Sequence, residues 1–123
     1  MSLQFIRSIR DFELHGRRIF LRLDLNVPLG EPETQGKRQV WPILDDSRIQ
    51  KAIPTVKYAI EKGAKVIIAS HLGRPDGKPD PSRSLEPVAE RLSELLNQEV
   101  TLADNCVGDG IEMMVSTLKP GQV

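Results

Sequence analysis

The chain has no long apolar run, a single cysteine, and no excess of either charge. No stretch approaches the ~20 consecutive apolar residues that cross a bilayer as a helix, which argues against a membrane protein. The amino terminus lacks a basic segment followed by an apolar one, so export is not expected. Cys106 alone cannot close an internal disulfide, and no Cys/His cluster has zinc spacing. That fits a reducing, cytoplasmic setting and no bound metal. Lys and Arg number 17, as do Asp and Glu, so nothing in the balance suggests a nucleic-acid or membrane-surface partner. There is no internal repeat and no low-complexity tract. Nucleotide-binding glycine motifs are missing as well. Gly73-Arg-Pro-Asp-Gly77-Lys78-Pro79 is one residue short of P-loop spacing between its glycines, and Pro79 stands where that motif needs a hydroxyl. No Gly-x-Gly-x-x-Gly occurs.

What remains is an ordinary globular composition, 39% hydrophobic and 28% charged, in 123 residues. That is the size of one domain with one core. Apolar runs alternate with helical patterns. Residues 18–24 read as a strand ending at Asn26-Val27-Pro28, and the polar, Gly- and Pro-bearing residues 30–40 read as an exposed loop. Asp45-Asp46-Ser47 offers N-cap chemistry for a helix over 48–62. Ile49, Ile53, Val56 and Ile60 share one face of it. Pro54 should kink that helix or confine its regular part to later residues. Gly63 suits a left-handed cap. Residues 65–70 are apolar throughout, as in a parallel strand covered on both faces. A loop over 71–84 leads to a helix over 85–96, with Pro87 in its first turn. A short strand over 99–102 and a helix over 110–118 follow, and a fourth strand is expected to begin at Gln122-Val123. The βαβαβα order predicts a parallel, Rossmann-like three-layer α/β sheet with helices on both faces.

In such sheets ligands bind beyond the carboxyl ends of the strands. The first strand delivers Asp24, Leu25 and Asn26 there. The second delivers Ser70, His71, Leu72, Gly73 and Arg74. Arg48 opens the intervening helix. Two arginines, a histidine, a carboxylate and an amide suit a small phosphorylated acid that carries a hydroxyl. Arginine would grip phosphate or carboxylate with two donors, and Gly73 would let backbone amides approach an anion. Each residue also has a plainer role. Taken alone, Asp24 and Asn26 read first as turn residues before Pro28. Asp45 and Asp46 read as helix-start residues, His71 as structural, Arg74 as a solvated loop arginine, and Cys106 as a small packing residue.

These residues fall in blocks that resemble one family. Arg22-Leu23-Asp24-Leu25-Asn26-Val27-Pro28 is similar to the amino-terminal signature of phosphoglycerate kinases. Asp45-Asp46-Ser47-Arg48-Ile49 with Ala52-Ile53-Pro54-Thr55, then Gly63-Ala64-Lys65, then Ser70-His71-Leu72-Gly73-Arg74-Pro75-Asp76-Gly77, and finally Asn105-Cys106-Val107-Gly108, follow in family order. The resemblance runs from about Asp11 to Val123. It implies reversible phosphoryl transfer between 1,3-bisphosphoglycerate with ADP and 3-phosphoglycerate with ATP. It also implies a cytoplasmic, monomeric parent of two domains that close by a hinge motion. Residues 1–123 would be part of the amino-terminal, 3-phosphoglycerate-binding domain. A carboxy-terminal domain, not in this sequence, would bind Mg-ATP or Mg-ADP. Asp24 and Asn26 would contact the glycerate, and His71 and Arg74 its charged groups. The backbone at Leu25, Leu72 and Gly73 would line the pocket, and Arg48 would stabilise the phosphoryl group in flight. Two departures stand out. Residues 30–40 look inserted, and the family's later substrate-binding arginines and hinge are not in this sequence, so the chain alone is expected to be inactive. A stand-alone, non-catalytic anion-binding or regulatory domain is the alternative, and a scaffold with vestigial signature residues a third reading.

Overall fold

A computed structural model describes residues 6–72 and 80–123. Strand β1 (Arg18–Arg22) pairs in parallel with β4 (Lys65–Ala69), in a register that sets Ile19 beside Val66 and Leu21 beside Ile68. The parallel α/β arrangement is as the sequence predicts. Strands β2 (Glu33–Gln35) and β3 (Arg38–Val40) form a separate antiparallel hairpin. The helices are α1 (Ser47–Glu61), α2 (Glu86–Leu96) and α3 (Asp109–Ser116).

Alternation along β1 turns Ile19 and Leu21 inward and leaves Phe20 68% exposed. Leu21 and Ile68 join one core with Ile49 and Val56 of α1 and Val88, Leu92 and Leu96 of α2. Helix α1 packs on this sheet face, and α2 packs against α1. Among the described residues the expected cover on the second face is not seen over Phe20.

Helix α1 runs unbroken through Pro54, so its regular part is not confined to later residues. Proline removes one donor on the exposed side, while Ile49 before it and Val56 after it are both fully buried and hold the two halves to one core. The helix ends as expected at Gly63, with φ +77°. The Gly63 amide donates to the Ile60 carbonyl at 2.9 Å and the Ala64 amide to the Ala59 carbonyl at 3.0 Å, the paired bonds of a Schellman cap. At the other end of α2, Asn97 takes the left-handed conformation that glycine often supplies.

Residues 31–39 are exposed, but 33–40 form a hairpin rather than an irregular loop. Gly36, at φ +64°, opens the two-residue turn between Gln35 and Arg38, the glycine position of a type II′ turn. A bridge between Leu29 and Ile43 closes its base.

The strand expected over 99–102 does not form. The Ser93 hydroxyl takes the Val100 amide at 3.1 Å, and the Thr101 amide donates to the Val123 carbonyl at 3.2 Å. One such bond does not make a ladder. The expected return to the sheet at Gln122-Val123 has its first contact, with the Val66 amide donating to the Gln122 carbonyl at 2.9 Å. Cys106 is exposed, not packed, because residues 101–110 are exposed throughout. Much of the expected 71–84 loop, including the rejected P-loop look-alike, lies outside the described residues.

Candidate functional site

The alternation of β1 continues past its end and builds the site. Leu25 and Val27 are buried in the core, while Asp24 between the strand and Leu25 faces solvent. Backbone of the same period thus anchors on apolar residues and presents polar ones. Beyond β4 the same logic buries Leu72 and exposes His71. The Ser70 hydroxyl accepts the Leu25 amide at 3.0 Å and ties the two strand ends together.

Arg48 occupies the first turn of α1. Its Nη1 donates to Asp24 Oδ1 at 3.1 Å and to the Asn26 carbonyl at 2.8 Å. Asp24 Oδ1 also accepts the Asn26 amide at 3.2 Å. One carboxylate thus fills the turn role expected of Asp24 and also pairs with Arg48. The Arg48 and Asp24 side chains are 53% and 66% exposed, so their ion pair adds little stability and yields easily to a stronger anion. The helix N-terminus beneath Arg48 adds partial positive charge. The structure thus brings Asp24, Leu25, Asn26 and Arg48 together at the carboxyl end of β1, with the Leu25 and Leu72 side chains serving the core. Gly73 and Arg74 lie outside the described residues.

The start of α1 departs from the expected cap. Asp46 is the N-cap residue, yet its side chain makes no capping bond. Its Oδ2 instead accepts Arg91 Nε at 2.9 Å, because a charged donor outcompetes a backbone amide. Asp45 takes over, accepting the Ser47 amide at 2.9 Å. The bond from Arg91 holds the Asp46 carboxyl below its usual pKa, and the Ser47 hydroxyl does the same for Asp45. The Ser82 hydroxyl lowers Asp80 likewise. Groups with folded pKa values below the unfolded 3.8 stabilise the fold fully above that pH, and the contribution is lost as pH falls through the lower folded values. Urea midpoints should therefore fall on the acid side of pH ~4, and Arg91→Met should flatten that fall. An unchanged acid limb in the variant would remove Arg91 as the cause.

Sequence reading missed the roles of Ser70 and Arg91, and of Arg38, which bonds Glu86 and Glu90 of α2. These partners are 45 or more residues apart, so no local spacing announces them. A depression of about 520 Å³ lined by Ile9, Phe12, Leu14, Ile19 and Phe20 contains none of the site residues. It is apolar and reaches the start of β1, the wrong end for a ligand in a parallel sheet.

A sequence model of the phosphoglycerate kinase family matches residues 9–123. A phosphoglycerate kinase from an Anaeromyxobacter species is 52% identical over 120 residues, covering 96% of this chain and 28% of its own length. One from a Picosynechococcus species is 47% identical over 123 residues, covering 29% of its length. The crystal structure of the Pyrococcus horikoshii phosphoglycerate kinase superposes with TM-score 0.75 at 36% identity, over 94% of this chain and 26% of that one. The Coxiella burnetii enzyme gives 0.70 at 38% identity. The chain thus spans under a third of the length of these relatives. Within that span the match is nearly continuous and takes in Asp24, Asn26, Arg48 and His71: the chain belongs to the phosphoglycerate kinase family.

Proposed function

We propose that these residues form part of the acid-substrate site of a phosphoglycerate kinase, which moves a phosphoryl group reversibly between 1,3-bisphosphoglycerate with ADP and 3-phosphoglycerate with ATP. The observation that carries this reading is the meeting of Arg48 with Asp24 and the Asn26 backbone, across more than 20 residues of sequence, at the ligand-binding edge of a parallel sheet. Asp24 and Asn26 hold the glycerate, and His71 and Arg74 hold its charged ends. On substrate binding Arg48 exchanges its exposed Asp24 partner for the transferring phosphoryl group. Cations aimed at that group are how such reactions are accelerated.

The Mg-nucleotide belongs to residues outside this sequence, in a carboxy-terminal domain. Among the described residues no group of three His, Cys, Asp or Glu is arranged to hold a metal. The chain alone is inactive in phosphoryl transfer. We place the parent in the cytoplasm. Cys106, the lone cysteine, suits a reducing compartment, and among the described residues no helix is long and apolar enough to cross a membrane.

A titration of the isotopically labelled protein with 3-phosphoglycerate, followed by NMR, tests the site. The amides of Leu25, Asn26 and Leu72 should shift, and Arg74→Ala should weaken binding about 10-fold, the usual cost of losing one charged hydrogen bond. Shifts that Arg74→Ala leaves unchanged would sink the pocket assignment. Equal binding of inorganic phosphate, with no transfer by the full-length protein, would favour a non-catalytic anion-binding domain.

A further inference from the structure

The direction in which Arg48 points depends on how the first turn of α1 is held, and helix ends fray unless something holds them. The buried residues Ile49, Val56 and Ala59 seat the body of α1. Its start lacks a capping bond from Asp46. Asp45 and the buried Ile49 hold part of it, and a further tie comes from α2. Arg91 donates through Nε to Asp46 Oδ2 at 2.9 Å and through Nη1 to Glu94 Oε2 at 2.8 Å. Asp46 lies two positions before Arg48, and Gln50, one turn into α1, donates to the same carboxylate at 3.2 Å. The Arg91 and Asp46 side chains are 34% and 27% exposed, better shielded than the Arg48–Asp24 pair. Helix α2 is itself firmly seated, with Val88, Leu92 and Leu96 in the core. The exposed hairpin also bonds the same helix, through Arg38 to Glu86 and Glu90.

We propose that Arg91 is a positioning residue for Arg48: by gripping Asp46 from α2, it fixes the first turn of α1 and so the place from which the Arg48 guanidinium reaches the phosphoryl group. This rests on the transfer role proposed for Arg48. A plain helix–helix ion pair would stabilise the fold but would not separate kcat from KM. A positioning tie acts on Arg48 in the transition state, where small displacements are costly.

The test is steady-state kinetics of the full-length enzyme under conditions where urea unfolding shows every variant to be folded. Arg91→Met should lower kcat about 10-fold while KM for 3-phosphoglycerate changes less than about threefold. Arg91→Lys, which keeps one donor for Asp46, should recover most of the loss. In the Arg48→Ala background, assayed at proportionally higher enzyme concentration, Arg91→Met should change kcat less than about twofold, because the residue it positions is gone. Several results would overturn the inference: wild-type kcat in Arg91→Met, equal losses in the methionine and lysine variants, or an undiminished loss in the Arg48→Ala background. Wild-type kcat in Arg48→Ala itself would instead overturn the role given to Arg48, and this inference with it. Wild-type kcat in Arg91→Met beside a crippled Arg48→Ala enzyme would overturn the positioning role alone.

Discussion

Arg48→Ala should lower kcat of the full-length enzyme by roughly 10³- to 10⁵-fold, the range found when an arginine aimed at a transferring phosphoryl group is lost. The expectation follows from placement. Arg48 stands at the amino end of α1, where the helix adds partial positive charge, and over the carboxyl end of β1, where substrates of parallel sheets bind. In the structure it is parked on the exposed carboxylate of Asp24, at 3.1 Å. That contact is weak enough to exchange and close enough to keep the guanidinium near the site. A charge that stabilises the transferring group more than the bound acid lowers kcat and kcat/KM together when removed, with KM for 3-phosphoglycerate moving little. The fold should barely notice, since an exposed ion pair contributes little to stability. The measurement is kcat and KM alongside a urea midpoint. A large rise in KM with kcat preserved would make Arg48 a ground-state binding residue and remove it from the transfer step.

The residues that carry this argument differ in how readable they were. Asp24, Leu25, Asn26 and Arg48 could be placed because strand alternation and helix starts are local properties, and the site inherits them. Ile49, Ile53, Val56 and Ile60 gave the buried face of α1 by spacing alone, and Gly63 its end. The hairpin over 33–40 was not readable as one, since its strands are three residues each and exposed, so burial left no alternating pattern. The strand expected at 99–102 failed for the opposite reason. Its apolar content was legible, but ladder formation depends on a partner, and Ser93 captured an amide the ladder would need. Asp46 shows the limit most clearly. From sequence it is an N-cap acid. In the fold it answers to Arg91, 45 positions away, and the local cap passes to Asp45. Ionic partners at that separation are decided by packing.

Ile49→Ala should be among the most damaging substitutions to the fold, destabilising it by about 2–5 kcal/mol. Ile49 is 0% exposed and shares its core with Leu25 and Val27 from the strand end and with Val88 and Leu92 from α2. It is thus the point where the sheet edge, α1 and α2 meet. Alanine would remove buried methyl and methylene groups and leave a cavity whose walls belong to three elements, none free to collapse inward without moving the others. Ile49→Val deletes one methyl and should cost only about 0.5–1.5 kcal/mol, so the two variants form a graded series. Urea midpoints with an unchanged m-value measure it. A loss below about 1 kcal/mol for the alanine variant would mean the site relaxes, and that the junction is not rigid. The prediction reaches beyond stability because Ile49 is the neighbour of Arg48. The side chain that locks the first turn of α1 into the core and the exposed arginine proposed to meet the phosphoryl group are neighbours in that turn. In the folded fraction of Ile49→Ala, kcat should therefore fall while KM holds, in the same pattern as Arg91→Met. The first turn of α1 would then be fixed from two sides, by burial at Ile49 and by charge at Asp46.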